Sequence, residues 1–176
     1  MSDIHILTGP PGSGKSSVLA HMAPDFRTVA EPARTVLAAQ RAKGGRGTGD
    51  QDPALFVSLM LQQALGDQQT LHGVPGPVLC DRGLPDLLAY AAYWNLPDGA
   101  IRTAIAAMPR PQTVFWFPAW QAIYTQDEER TLDFGGSAAF GVLVREAYES
   151  LGFSLVEMPL APIEDRAAFI RQRIGA

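Results

Sequence analysis

Cysteine, histidine and basic residues are scarce in this sequence of 176 residues. A single cysteine excludes an intramolecular disulfide framework, and three histidines add no spacing typical of a zinc site. The 14 lysines and arginines are outnumbered by 18 aspartates and glutamates, which gives a net charge of −4. Proteins that bind nucleic acids or membrane surfaces without sequence preference are usually basic, so we expect neither partner.

Long apolar runs are also missing. No stretch reaches the ~18 apolar residues of a membrane-spanning helix, and the N-terminus lacks the charged region, apolar core and cleavage site of a secretory signal. We therefore expect a cytoplasmic protein. Its length fits the ~100–200 residues of one domain and no linker separates two different halves, so residues 1–176 are predicted to form a single domain.

Short apolar segments alternate with segments of helical periodicity along the chain. The predicted strands are residues 4–8, 26–30, 77–81, 113–117 and 153–157. The predicted helices are residues 15–22, 33–43, 85–94, 98–107 and 137–151, with two more that begin at Pro53 and Pro162. This alternation is typical of α/β proteins in which helices cover both faces of a parallel sheet.

A complete phosphate-loop motif, G-x-x-x-x-G-K-[ST], follows the first predicted strand and opens the first predicted helix. Its glycines allow backbone N–H groups to approach phosphate oxygens, and the helix N-terminus adds partial positive charge. Lys15 is predicted to reach the β- and γ-phosphates, and the Ser16 hydroxyl to ligate Mg²⁺. The predicted nucleotide-binding residues are Gly9, Pro10, Pro11, Gly12, Ser13, Gly14, Lys15, Ser16 and Ser17.

The third predicted strand ends in an acid, Asp81, followed directly by Arg82. Beside a phosphate loop, such an acid is placed to act on Mg²⁺ and its waters, although it is also a candidate helix cap. Arg82 points either into the ligand crevice or to a surface salt bridge. Asp86 and Tyr90 lie four residues apart on one face of the next helix and are candidate substrate contacts.

The second predicted strand ends at Glu31, with Pro32 next and Arg34 three residues on. The carboxyl ends of parallel strands face the ligand crevice, so Glu31 is a candidate general base for an attacking hydroxyl. Because Pro32 stands at a helix start, Glu31 is alternatively an N-cap. Cys80 and the three tryptophans, Trp94, Trp116 and Trp120, are predicted to be core residues.

Residues 118–136 interrupt the alternation with a polar segment that is predicted to be a short lid. An arginine in such a cover neutralises charge during phosphoryl transfer, which makes Arg130 a candidate catalytic residue. Asp127 is spaced to pair with Arg130 on one helix face. The alternative is a solvated acidic loop.

These motifs recur together, in this order and spacing, in a known group of proteins. The chain resembles the small AAA-type predicted ATPase/kinase domains related to the ribosylnicotinamide kinase domain and, more distantly, the deoxynucleoside kinases. The residues that carry the resemblance are Gly9–Ser16, Glu31-Pro32-Ala33-Arg34, Asp81-Arg82-Gly83 with Asp86 and Tyr90, and Asp127-Glu128-Glu129-Arg130. The lid has one arginine where deoxynucleoside kinases carry several, so their nucleoside specificity does not transfer.

The resemblance implies a three-layer P-loop NTPase fold with a five-stranded parallel sheet in the order 2-3-1-4-5, together with ATP and Mg²⁺. It places Glu31 as the substrate-side carboxylate and Asp127 and Arg130 as the D-x-x-R of the lid. The expected catalytic residues are Lys15, Glu31, Asp81 and Arg130. The expected substrate contacts are Glu31, Arg34, Arg82, Asp86, Tyr90 and Asp127, and the expected metal ligands are Ser16 and Asp81.

Two activities are consistent with these residues. The first is transfer of the γ-phosphate of ATP to a hydroxyl of a small metabolite, with nucleosides among the candidates and either Glu31 or Asp81 as general base. The second is nucleotide hydrolysis by an ATPase or switch without a small-molecule acceptor. The intact Lys15, Ser16 and Asp81 argue against a binding module with a degenerate site.

Overall fold

A computed structural model describes residues 3–126 and 132–175 and contains one parallel sheet of five strands. The strands are β1 (Asp3–Thr8), β2 (Arg27–Val29), β3 (Pro77–Asp81), β4 (Thr113–Trp116) and β5 (Leu155–Glu157). Their order across the sheet is β2-β3-β1-β4-β5. The α/β class and the order 2-3-1-4-5 expected from the sequence are therefore confirmed.

The helices of the described residues lie between the strands, except for the last one, which follows β5. They are α1 (Lys15–Met22), α2 (Pro32–Lys43), α3 (Pro53–Thr70), α4 (Leu84–Tyr93), α5 (Gly99–Ala107), α6 (Phe134–Ser150) and α7 (Ile163–Ile174), with a 3₁₀ turn at Gln121–Ile123. None of the helices in the described ranges is long and apolar enough to cross a membrane.

The central strand β1 places the motifs side by side. Leu7 is in register with Asp81 of β3 on one side and with Phe115 of β4 on the other. The three strands therefore end at the same edge of the sheet, where the phosphate loop leaves β1. All residues of β1 after Asp3 are buried, as expected for the middle of a parallel sheet.

Alternate side chains of the strands pack on opposite faces, which produces three layers. Ile6 and Cys80 belong to an apolar cluster completed by α4 and α6, while Leu7 belongs to a second cluster completed by α1 and α7. A third cluster joins α2, α3, α4 and α5 beyond the sheet. Cys80 is a buried core residue with 5% exposure, as predicted.

Helix α6 begins three residues before the predicted start at Ser137. The Asp133 carboxylate accepts a hydrogen bond of 2.7 Å from the N–H of Gly136 and caps the helix. Gly135 and Gly136 fell within the predicted lid, residues 118–136, but here they form the first turn of the helix, where the cap compensates for the low helix propensity of glycine. The last three residues of the predicted lid, 134–136, are therefore helical. The predictions on Asp127 and Arg130 lie outside the described residues.

Candidate functional site

The phosphate loop connects β1 to α1 through backbone conformations that favour glycine. Gly9, Gly12 and Gly14 have φ values of 141°, 76° and 87°. A side chain at Gly9 would also collide with the carbonyl oxygen of Phe117, which follows the neighbouring strand. The glycine spacing of the motif is thus required by backbone geometry and by close packing.

The Lys15 side chain lies inside the loop, with 4% of the residue exposed. Its Nζ donates hydrogen bonds to the carbonyl oxygens of Gly9 (3.2 Å) and Pro10 (2.9 Å) and to Ser13 Oγ (3.3 Å). Burial, together with the charge of Arg82, lowers the pKa of Lys15 from 10.5 to about 8. The hydrogen-bond acceptors around the Lys15 amine are all neutral. A bound anion at this position would therefore favour the charged form of the amine.

Ser16 and Asp81 form a pair beside the loop. Ser16 Oγ donates a hydrogen bond of 2.6 Å to Asp81 Oδ2, and Asp81 Oδ1 is buried without a hydrogen-bond partner in the described part of the chain. Burial and the negative charge of Glu31 raise the pKa of Asp81. Asp81 does not cap α4, whose N-cap is Gly83.

This pair fits a magnesium ion. Mg²⁺ is usually held by one or two protein oxygen ligands, with phosphates and waters completing its shell. Residues 3–126 and 132–175 contain no group of three His, Cys, Asp or Glu side chains that could hold a metal by themselves. The unpaired oxygen of Asp81 beside the Ser16 hydroxyl is the feature that such a shared site requires.

Arg82 links the phosphate loop to the acidic residues around it. Its Nε donates to Glu31 Oε1 at 2.7 Å, and its Nη1 donates to Asp86 Oδ1 at 2.7 Å and to the carbonyl oxygen of Gly9 at 3.0 Å. The backbone of Arg82 has φ 74°, which is uncommon for a residue other than glycine. Arg82 also lines the main cavity, so its ion pairs are buried at the crevice and are not a surface salt bridge.

Glu31 occupies the N-cap position of α2 without capping it. Its side chain instead pairs with Arg82, and with Arg34 at 3.5 Å, and is 13% exposed. Burial opposes ionisation of this carboxyl, but the charges of Arg82 and Lys15 outweigh it and lower its pKa. The geometry therefore removes the N-cap alternative and leaves an ionised carboxylate at the crevice.

Asp86 lies behind Arg82 rather than in the cavity. Besides Arg82, its carboxylate accepts hydrogen bonds from Thr8 Oγ1 (2.7 Å), Tyr148 Oη (2.7 Å) and the N–H of Gly83 (3.0 Å). With 1% exposure and four donors, Asp86 is placed to hold Arg82 and is not among the residues that line the cavity. Sequence reasoning missed Tyr148, which carries no motif of its own.

A cavity of about 790 Å³ opens from the phosphate loop toward α2, α4 and α6. Its lining includes the charged side chains of Lys15, Glu31, Arg34, Arg41, Asp50 and Arg82. It also includes the aromatic side chains of Phe56, Tyr90, Tyr93, Trp94 and Phe140. The predicted residues that line this cavity are Pro11, Gly12, Gly14, Lys15, Ser16, Ser17, Glu31, Arg34, Arg82 and Tyr90.

Two of the aromatic rings that line the cavity, Trp94 and Phe140, contact the ring of Tyr90. Tyr90 and Trp94 are stacked with centroids 5.7 Å apart and planes at 24°, and Phe140 lies 4.8 Å from Tyr90. Trp94, predicted to be a core residue, lines the cavity because its helix ends at the crevice. The glycine-rich loop of residues 44–52 covers this ring: a side chain at Gly49 would lie 2.8 Å from it.

A second cavity, of about 400 Å³, opens on the opposite side of the phosphate loop. It shares Gly12, Gly14 and Ser17 with the first cavity. Trp120 and Arg166 belong to its other walls, together with residues near the start of α7. Trp120 was predicted to be a core residue, but it is half-buried and lines this cavity. Trp116 is buried in the core, as predicted.

Comparisons with known proteins agree with this architecture. A family model described as an AAA domain matches residues 4–166. Among solved structures, NadR protein in complex with NR matches with a TM-score of 0.77 and 16% identity, over 99% of this chain and 52% of that chain. Deoxyadenosine kinase from M. mycoides, with bound dATP, matches with a TM-score of 0.69 and 11% identity, over 98% and 99%.

The NadR similarity extends to a complex with NAD and AMP-PNP, with a TM-score of 0.73 and 16% identity, over 99% of this chain and 50% of that one. This chain thus spans about half the length of the NadR chains that it matches. At these identities the similarities show the fold. No curated protein matches the sequence.

Proposed function

The chain belongs to the AAA domain family, and from this premise we propose that it is an ATP- and Mg²⁺-dependent phosphotransferase. It transfers the γ-phosphate of ATP to a hydroxyl of a small metabolite, with nucleosides as the leading candidates. The observation that carries this proposal is the main cavity, which is lined by Lys15 and Glu31 and also by aromatic rings. If water were the nucleophile, as in nucleotide hydrolysis, a cavity of about 790 Å³ beside the phosphate loop would not be needed.

The donor side of the reaction uses the phosphate loop. Backbone N–H groups of the loop bind the phosphates, and the Lys15 ammonium offsets charge on the β- and γ-phosphates. Ser16 and Asp81 would hold the metal ion, which would neutralise negative charge on the phosphates. Arg130, from the predicted lid, remains the candidate for additional charge neutralisation, with Asp127 as its predicted neighbour.

On the acceptor side, Glu31 is the better candidate for general base. It lines the cavity and its lowered pKa keeps it ionised at neutral pH, whereas Asp81 faces Ser16 and its pKa is raised. Glu31 accepts the proton of the acceptor hydroxyl as the hydroxyl oxygen bonds to the γ-phosphorus and the bond to the β-phosphate oxygen breaks. Arg82 orients Glu31, and Asp86 holds Arg82 in place.

The aromatic rings that line the cavity bind the part of the acceptor that does not react. Flat rings stack on Tyr and Trp side chains, so a nucleoside base fits the wall formed by Tyr90, Trp94 and Phe140. Neighbours whose structures hold NR or dATP support a ligand of this kind. Arg34 also lines the cavity and is a candidate contact to the acceptor.

We also propose that residues 1–176 act as one domain, because the described residues contain a single sheet.

The test is ADP release from ATP and Mg²⁺ in the presence of a panel of nucleosides. We expect at least one nucleoside to raise turnover well above the rate without acceptor. Glu31→Gln should lower kcat at least ~10²-fold with little change in ATP binding. The matched control is Glu146→Gln, which changes an exposed carboxylate on α6.

Two results would contradict the proposal. If no acceptor raises ADP release above the rate in water, the protein is a nucleotide hydrolase, the alternative activity. If an acceptor is phosphorylated equally well by Glu31→Gln, the role of Glu31 as general base is wrong.

A further inference from the structure

Three carbonyl groups of the phosphate loop accept hydrogen bonds from side chains far away in sequence. Arg82 Nη1 donates to the Gly9 oxygen at 3.0 Å. Ser137 Oγ, in the first turns of α6, donates to the Pro11 oxygen at 2.6 Å. Arg166 Nη1, on α7, donates to the Ser13 oxygen at 3.2 Å. None of the three donor residues, Arg82, Ser137 and Arg166, belongs to the phosphate-loop motif.

Peptide geometry converts these bonds into an orientation of the loop. In a trans peptide the C=O of one residue and the N–H of the next point in opposite directions, and the described residues contain no cis peptide. Holding the Pro11 carbonyl therefore fixes the N–H of Gly12, and holding the Ser13 carbonyl fixes the N–H of Gly14. Both N–H groups then point away from Ser137 and Arg166.

These two N–H groups matter because the loop has few others. Pro10 and Pro11 have no N–H, so Gly12 supplies the first donor after Gly9. A loop that binds phosphate does so by aiming successive N–H groups at one point. Fixing the Gly12 and Gly14 peptides therefore controls two of the earliest donors that a polyphosphate meets.

The burial of the two side chains supports a role in the loop. Ser137 is 1% exposed and Arg166 is 4% exposed. The Arg166 guanidinium lies 5.4 Å from the ring of Trp120, and its Nε has no hydrogen-bond partner in the described ranges. Burying a cation in such surroundings costs free energy. Packing of α7 alone therefore does not explain why Arg166 is placed beside the Ser13 carbonyl.

We propose that Ser137 and Arg166 are positioning residues for nucleotide binding, which act by turning the N–H groups of Gly12 and Gly14 toward the polyphosphate. The proposal rests on the nucleotide-binding part of the proposed function and is independent of the acceptor. Neither residue touches the nucleotide phosphates in this role. The effect is therefore on affinity for the phosphate chain, whichever base is attached.

The test measures dissociation constants of ADP and of inorganic tripolyphosphate, both with Mg²⁺, by calorimetry. Ser137→Ala and Arg166→Met should each weaken both ligands by about 3- to 10-fold, the value of one lost hydrogen bond. Ser137→Thr and Arg166→Lys keep a donor and should recover most of the affinity. In turnover, KM for ATP should rise while kcat and KM for the acceptor stay close to the wild-type values.

Matched controls exist on the same two helices. On α6, Ser150→Ala removes a hydroxyl that donates to the Ala147 carbonyl. On α7, Arg171→Met removes a cation that is paired with Asp25. Neither should change the binding of ADP or tripolyphosphate. Thermal unfolding without ligand separates loss of affinity from loss of fold. If Arg166→Met does not fold, Arg166→Leu, which also lacks a donor, replaces it and should weaken binding of ADP and of tripolyphosphate by the same factor.

Several outcomes would overturn the proposal. The proposal is wrong if folded Ser137→Ala and Arg166→Met proteins bind ADP and tripolyphosphate as tightly as the wild type does. A loss for ADP alone would assign Arg166 to the base and not to the loop. Wild-type protein that binds neither ligand would also overturn it. Wild-type protein that binds both ligands but phosphorylates no acceptor would refute the phosphotransferase and leave this inference intact.

Discussion

The titration of Lys15 should couple two properties of the protein in opposite directions. Its ammonium is buried in the phosphate loop, which lowers its pKa to about 8, whereas the unfolded chain has the ordinary value of 10.5. Between these values the unfolded chain binds more protons than the folded protein. Stability contributed by Lys15 is therefore absent below pH 8 and increases as the pH rises toward 10.5.

The size of the effect follows from the two pKa values. Between pH 7 and pH 9 the free energy of unfolding should increase by about 1.4 kcal/mol through this residue. A polyphosphate requires the charged amine, so the same proton loss should weaken binding of ADP about tenfold over the same range. Raising the pH thus stabilises the free protein and weakens the complex.

Urea unfolding at pH 7, 8 and 9 in EDTA measures the first effect, and calorimetry with ADP measures the second. Lys15→Met supplies the control, because it removes the titrating amine while other groups titrate as before. The difference between wild type and Lys15→Met should change by about 1.4 kcal/mol from pH 7 to pH 9. Parallel pH profiles of the two proteins would refute the reasoning, because Lys15 would then not titrate in this range.

Three further changes test the surroundings of the loop. Tyr148→Phe leaves Asp86 with one donor fewer, so urea unfolding should show a loss of about 1–2 kcal/mol, and an unchanged midpoint would contradict this. Asp81→Asn should raise the Mg²⁺ concentration for half-maximal activity at least ~tenfold without weakening metal-free nucleotide binding; an unchanged Mg²⁺ requirement would exclude Asp81 as a ligand. Gly9→Ala should cost about 1–3 kcal/mol in thermal or urea unfolding, whereas Gly66→Ala, in open space on α3, should be neutral or stabilising.

The fold could be read from the sequence because its signals are local. Strands β3 and β4 contain short apolar runs, helices such as α4 and α5 have an apolar face, and the phosphate loop lies at the junction of β1 and α1. The start of α6 was misplaced because residues up to 136 were assigned to the polar lid, whereas the Asp133 cap that starts the helix depends on side-chain geometry.

The site could be predicted only in part because some of its contacts join residues far apart in the chain. Asp86 was predicted to contact the substrate, but it does not line the cavity, and its carboxylate accepts a hydrogen bond from Tyr148, 62 residues away. Trp94 was predicted to be a core residue, as tryptophans usually are, but it lines the cavity. Which face of an aromatic residue meets a cavity depends on the packing of α4 against α6, and no local pattern encodes that packing.

The distribution of the three tryptophans provides the protein with internal optical probes. Trp94 lines the main cavity, Trp120 lines the second cavity, and Trp116 is buried in the core. Ligands that enter the two cavities should therefore change the emission of different indoles, while Trp116 supplies a constant background. Proteins that retain only Trp94 or only Trp120 would report occupancy of the main and the second cavity separately, in real time and without a label.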